Sequence, residues 1–194
     1  MEDFYVTGLI LSGGRSSRMA YQDKGLVLLN GRPMIETVKN TLINQVDELI
    51  ISANQNLKQY QQIHNIVLAD EYLDFRGPLA GIYEGLKYIK EDTFLLVAPC
   101  DGPFLPNDLC QKMLSAVKES KTKLATVYDG RYRQPTYSLI HQSLKKDLKL
   151  FLDNDGRKLG QWLSENHTQL VDFSEQARAF ININSDEDLL QIQQ

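Results

Sequence analysis

What most limits the architecture of this chain is a regular alternation of short apolar runs with segments of helical period, sustained from Phe4 to Val117. Phe4–Leu11 reads as a buried strand. Pro33 then opens a helix from about Met34 to Gln45, because proline loses no useful hydrogen bond at the first helical position. A strand at Glu48–Ala53, a short polar helix near Leu57–Gln62 and a third strand in NIVLAD follow. Leu79, Ile82, Leu86 and Ile89 form the apolar stripe of one helix. TFLLVAPCD is a buried strand ending at Pro99, and Pro106 starts a helix with Leu109, Met113, Leu114 and Val117 on its inner face. Strand, helix and strand in succession imply parallel pairing through right-handed crossovers. The expected fold is therefore α/β, with a mostly parallel open sheet covered by helices on both faces.

Beyond Val117 the pattern changes. KLATVYDGRYRQPTYSLI reads as two strands joined across DGRYRQP, since Asp-Gly marks a turn and both flanks carry β-branched and aromatic residues. Helices near Ser143–Leu152 and Leu159–Glu165, a strand at about Gln169–Phe173, a short strand AFINI and a last helix from Ser185 complete the reading. No repeat or low-complexity linker interrupts the 194 residues, which predicts a single domain over 1–194.

Ligands of such sheets bind beyond the carboxyl ends of the strands, and the polar clusters of this chain fall there. They are Ser12 to Lys24, Ser52 to Asn54, Asp70 and Asp101. Ser12, Gly13 and Gly14 leave the first strand without bulky side chains, so backbone N–H groups can approach a polyphosphate closely. Arg15, Arg18 and Lys24 add charge that can follow phosphate oxygens. The loop lacks both G-x-x-x-x-G-K-[ST] and G-x-G-x-x-G, so a different phosphate-binding device is needed.

A net charge of -4 and a pI near 5.4 argue against a nucleic-acid partner. His64, His141 and His167 show no metal-ligand spacing. Cys100 and Cys110 are too few for a disulfide framework and read as reduced thiols. MEDFYVTGLILSGG is acidic where a signal peptide is basic, and no apolar run reaches the roughly 18 residues of a membrane span. The expectation is a soluble, cytoplasmic protein with no membrane partner.

The stretch LILSGGRSSRMAYQDKGLVLLNGRPMI resembles the nucleotidyltransferase signature L-[AS]-[AG]-G-x(n)-R-M-x(n)-D-K. Within that superfamily DKGL, NGRPMI, RGPLAGI, PCDGPFLP, RQPTYSLI and FININSDEDL follow the order of the molybdenum cofactor guanylyltransferase family, across nearly the whole chain. The resemblance implies a Rossmann-like nucleotidyltransferase fold, with a nucleotide-binding half at about 1–105 and a pterin-binding half at about 106–194. It also implies transfer of GMP from GTP to molybdopterin with Mg²⁺. Other cofactor-biosynthesis proteins and molybdoenzyme chaperones are its implied partners.

Carried over by position, the nucleotide loop falls on Leu11, Ser12, Gly13 and Gly14, with Arg18 and Lys24 on the phosphates. Asp101 becomes the magnesium ligand, and a hard cation of this kind commonly takes only one or two carboxylates, with phosphate and water completing its shell. Lys24, Arg18 and Asp101 carry the catalysis. Asp70 contacts the guanine nucleotide, either Ser52 or Asn54 makes a base or ribose contact, and Gly77 and Gly81 let a ligand ring lie against the backbone. Asn182 and Asn184 fall on the pterin side. The chain departs from the family at Ala20 and Tyr21, which replace glycines, and at Ser52, which stands at an asparagine position.

Plain structural uses stand beside these: a solvated loop lysine for Lys24, a helix cap for Asp101 or Gly77, a turn aspartate for Asp70. Asn184 or Ser185 could equally cap the last helix, with SDED as its acidic first turn. The rival functions are a CTP-dependent or sugar-phosphate nucleotidyltransferase and a non-catalytic guanine-nucleotide-binding adaptor. PCDGP and FININSDEDL favour the molybdopterin reading, and Lys24 together with Asp101 argues against the adaptor.

Overall fold

The computed structural model describes residues 4–12, 23–71, 76–185 and 187–188. The strands are β1 (Val6–Leu11), β2 (Leu28–Leu29), β3 (Arg32–Pro33), β4 (Glu48–Ser52), β5 (Val67–Leu68), β6 (Phe94–Pro99), β7 (Leu124–Tyr128), β8 (Arg133–His141) and β9 (Gln169–Asp172). The helices are α1 (Met34–Leu42), α2 (Leu57–Ile63), α3 (Pro78–Tyr88), α4 (Leu109–Ser120), α5 (Lys145–Asp153) and α6 (Leu159–Glu165). Seven strands form one sheet in the order β5-β4-β1-β6-β8-β7-β9. Only β8 runs against the others, pairing antiparallel with both β6 and β7.

Alternation along the strands divides the core into two layers. Val6 and Ile10 of β1 pack with Ile35, Val38 and Leu42 of α1, Tyr60 of α2, and Leu109 and Met113 of α4. Leu9, between them, faces the other way, toward Leu79, Ile82 and Leu86 of α3 and Leu148 and Trp162 of α5 and α6. Both faces of the central strands are thus covered, which is why β1 and β6 read as continuous apolar runs.

Several local expectations change. The short hairpin β2–β3 was not anticipated, although its turn residues Asn30 and Gly31 both have positive φ, at 52° and 79°, as a tight hairpin requires. Helix α4 starts at Leu109 rather than Pro106, because the chain turns first and the Leu109 N–H reaches the Pro106 carbonyl at 3.4 Å. AFINI is not a strand. Ser174–Phe180 forms a 3-10 segment, and 181–184 run without a ladder partner. Its buried apolar residues, Phe180 and Ile183, stand three positions apart and enter different clusters, a spacing that one face of a strand does not give.

Leu96 lies in the middle of β6 with no exposed surface. Leu96→Ala is expected to lower the unfolding free energy by about 3 kcal/mol, against less than about 0.5 kcal/mol for Leu150→Ala on the solvent side of α5. Urea denaturation of the two variants measures the difference.

Candidate active site

Just past the strands, backbone bonds tie neighbouring ends into one edge. Cys100 donates to the Leu11 carbonyl at 3.0 Å, Ser12 to that of Ser52 at 2.8 Å, and Ala53 to that of Leu68 at 2.9 Å. The parallel strands β1, β4, β5 and β6 all deliver their following residues here.

Lys24 opens a 3-10 turn over Lys24–Leu26. Asp23 precedes it, but its carboxylate does not cap the turn. Instead it accepts the Tyr60 hydroxyl at 2.5 Å and the Asn56 amide at 3.1 Å. Gly25 follows, buried so tightly that a Cβ there would lie 2.6 Å from the same hydroxyl. Held between these neighbours, Lys24 sends its Nζ to Asp101 Oδ2 at 3.0 Å and to Asn184 Oδ1 at 2.5 Å. The pair is mostly withdrawn from water, with side chains 20% and 14% exposed for Lys24 and Asp101.

Asn184 reaches this point because the C-terminal segment is pinned beside it. Ile183 buries its side chain with Leu29 and Met34 and donates its N–H to the Asp101 carbonyl at 2.8 Å. A reciprocal cap follows: Asp188 N–H donates to Ser185 Oγ at 3.1 Å, and the Asp188 carboxylate accepts from the N–H groups of Ser185 and Asn184 at 2.9 and 2.8 Å. Ser185 is therefore the cap, and the Asn184 side chain turns to Lys24. The backbone N–H of Asn184 and the Ser185 hydroxyl hold the Asp188 carboxyl below the usual range. On the other side of Asp101, the Tyr137 hydroxyl donates to Asn182 Oδ1 at 3.1 Å, in the space that a Gly102 side chain would fill.

The groups around this centre are held in their neutral forms. Burial, and after it the charge of Asp101, raises the Tyr137 hydroxyl far above its ordinary value. Burial pushes the Cys100 thiol up to about 12 and, away from this centre on α4, the Cys110 thiol to about 11. Both cysteines are free and buried.

The structure thus brings Lys24, Asp101, Asn184 and Asn182 together, with Leu11 and Ser12 on the adjoining strand end. Gly13, Gly14 and Arg18 lie outside the described residues. Asn54 and Asp70 form a second, more exposed pair, the Asn54 amide donating to the Asp70 carboxylate at 2.6 Å and accepting the Asp70 N–H at 2.9 Å. Ser52 is buried, and its hydroxyl would lie 2.5 Å from a Gly81 Cβ, so the open side of Gly81 is filled by Ser52. Gly77 precedes α3 at φ +64° and ψ −151°, a backbone shape that favours glycine. Reasoning from sequence did not single out Tyr60, Asn56, Gly25, Tyr137 or Ile183. The one available signal was a lone aromatic among the lysine and glutamines of helix α2.

Among the described residues no three His, Cys, Asp or Glu side chains come together as a metal cage. Asp101 offers an anionic oxygen beside Lys24 just after β6, while the amide oxygens of Asn182 and Asn184 are already engaged. One carboxylate at a strand end suits a magnesium ion that arrives with phosphate and water.

The MobA-like NTP transferase domain matches residues 8–170. A molybdenum cofactor guanylyltransferase of Histophilus somni is 42% identical over 95% of this chain and 94% of its own length. One from Shewanella baltica is 40% identical over 94% and 92%. Molybdopterin-guanine dinucleotide biosynthesis protein A of Archaeoglobus fulgidus shares the fold at a TM-score of 0.79, with 19% identity over 96% of each chain. The 4-diphosphocytidyl-2C-methyl-D-erythritol synthase of Anaerococcus prevotii does so at 0.73, with 14% identity over 98% and 97%. The fold is that of a nucleotidyltransferase. The chain belongs to the MobA-like NTP transferases, among the molybdenum cofactor guanylyltransferases.

Because a Gly102 Cβ would lie 1.8 Å from the Tyr137 hydroxyl, Gly102→Ala is expected to destabilise the fold by about 1–3 kcal/mol. The same change in a Tyr137→Phe background should cost clearly less, because the obstructing oxygen is gone. Thermal melts of the four proteins test this pairing.

Proposed function

We propose that the chain transfers GMP from GTP to molybdopterin at the Lys24–Asp101–Asn184 cluster. A terminal phosphate oxygen of molybdopterin attacks the α-phosphorus, the bond to the β-phosphate's bridging oxygen breaks, and pyrophosphate leaves. The reading rests on a lysine and a carboxylate held together at the carboxyl edge of a parallel sheet. The choice of guanine and pterin comes from the relatives' names.

The nucleophile is already anionic, so the protein's task is alignment and charge neutralisation rather than proton transfer. Lys24 meets charge that grows as pyrophosphate departs, and Asn184 keeps its ammonium aimed at the edge. Asp101 would hold Mg²⁺, whose chemistry when bound is to neutralise phosphate charge. Leu11, Ser12, Gly13, Gly14 and Arg18 complete the phosphate side of the proposal. Asn54 and Asp70, exposed and already joined, make the guanine or ribose contact, with Ser52 and Gly81 packed beneath and Gly77 leading into α3. Asn182 faces the acceptor, so residues 1–105 take the nucleotide and 106–194 the pterin. Delivery partners in cofactor biosynthesis belong to the same reading. So does a cytoplasmic location, which the two free thiols support; among the described residues no helix is long and apolar enough to cross a membrane.

Lys24→Ala is expected to lower turnover about a hundredfold, on the order of 3 kcal/mol of barrier, while GTP affinity falls far less. Lost affinity with saturated turnover intact would make Lys24 a uniform phosphate anchor. Asp101→Asn is expected to keep the fold and lose most Mg²⁺-dependent turnover, because an amide is a poorer ligand for a hard cation. Unchanged activity across a magnesium titration would remove that role. Calorimetry with GTP, CTP and ATP is expected to show a preference for GTP, and a preference for CTP would return the chain to the cytidylyl alternative.

A further inference from the structure

We propose that Tyr60 is a positioning residue for the transfer: through its buried hydroxyl it holds Asp23 and Gly25, and so fixes the direction in which Lys24 reaches the phosphates. The inference rests on the role of Lys24 given above. Tyr60 is the one buried side chain of α2, a helix otherwise made of Leu57, Lys58, Gln59, Gln61, Gln62 and Ile63. Its ring fills the core layer shared with β1 and α1, a task that phenylalanine would perform equally well. The hydroxyl therefore needs a separate explanation, since a polar group without exposed surface is costly to bury unless it is bonded.

The bond it makes is to a carboxylate, Asp23, and charge-assisted bonds of this type are short and strong. The second oxygen of Asp23 accepts from Asn56, which precedes α2 at φ 52°. One helix start therefore grips both oxygens of the residue before Lys24. The residue after Lys24 is gripped sterically, because the hydroxyl occupies the region into which a Gly25 Cβ would project. The Cys100 thiol borders the same region, 3.4 Å from that Cβ position, so the residue after β6 meets it as well. Lys24 has a long flexible stem, and fixing its root on both sides removes much of the freedom that would spread its ammonium over many positions. Burial first, then Cys100 and Asp23, raise the Tyr60 hydroxyl well above its ordinary value. It stays protonated at any working pH, and acts as a donor rather than as an acid or base.

The test is Tyr60→Phe, assayed for GMP transfer with GTP, molybdopterin and Mg²⁺, alone and combined with Lys24→Ala. Turnover at saturating GTP is expected to fall roughly ten- to hundredfold, with KM for GTP changed by less than about threefold. In the Lys24→Ala background the same change should cause no further loss, because a residue that acts only through Lys24 has nothing left to position. Asp23→Asn, which weakens the same bond from its other end, should produce a drop of the same order that does not multiply with that of Tyr60→Phe. Full turnover in folded Tyr60→Phe, with Lys24→Ala strongly impaired, would overturn this inference and leave the proposed function standing. Losses that multiply across the Tyr60–Lys24 double variant would overturn it too, since Tyr60 would then act independently of the lysine. Wild-type turnover in Lys24→Ala would remove the proposed role of the lysine and this inference with it.

Discussion

An ion pair between Lys24 and Asp101, mostly withdrawn from water, is the contact around which the rest of the site is arranged. Removing charges from water costs several kcal/mol per ion, and mutual attraction repays this only when further bonds satisfy the remaining donors and acceptors. Here Asn184 supplies one of those bonds to the ammonium. Such a pair is weak grounds for stability, and apolar residues of the same volume could fill the place as well. Its presence at the edge where parallel strands end is better explained by a substrate that brings both negative charge and, with it, a cation.

Each partner comes from a different part of the sequence, and each is fixed by packing rather than by loop conformation alone. Asp101 follows β6, the most buried strand of the sheet. Lys24 is held from α2, and Asn184 from a segment anchored by Ile183 in the small core of Leu29 and Met34. The unforeseen hairpin β2–β3 thus has a use: Leu29 belongs to it and, with Met34, buries Ile183 between the two C-terminal asparagines. The one reversed strand, β8, carries Tyr137, which ties Asn182 to the same edge.

Much of this was legible in the amino-acid sequence, for definite reasons. Fully buried parallel strands are continuous apolar runs, so β1, β4 and β6 were visible, and the Asp-Gly turn signalled the β7–β8 hairpin. The family signature led to Lys24, Asp101 and Asn184, which the structure joins. What was not legible depends on packing across the chain. Ser52 and Asn54 could not be told apart because alternation along β4 stops at Ser52, leaving one buried and the other free to meet Asp70. AFINI is apolar enough for a strand, yet Phe180 packs on Tyr137 and Phe173, Ile183 alone reaches the hairpin floor, and the segment finds no ladder partner. Nor does any local pattern announce that the phenol of Tyr60 would meet Asp23, 37 positions earlier in the chain.

The central claim is that the Lys24–Asp101 pair occupies the place where phosphate chemistry occurs. A crystal structure with Mg²⁺ and a non-hydrolysable GTP analogue tests it most directly. The account predicts Lys24 Nζ within hydrogen-bonding distance of a phosphate oxygen, with the Asp101 carboxylate turned to the ion and Asn54 or Asp70 against the base. A nucleotide bound away from this edge, with Lys24 still closed on Asp101, would contradict it.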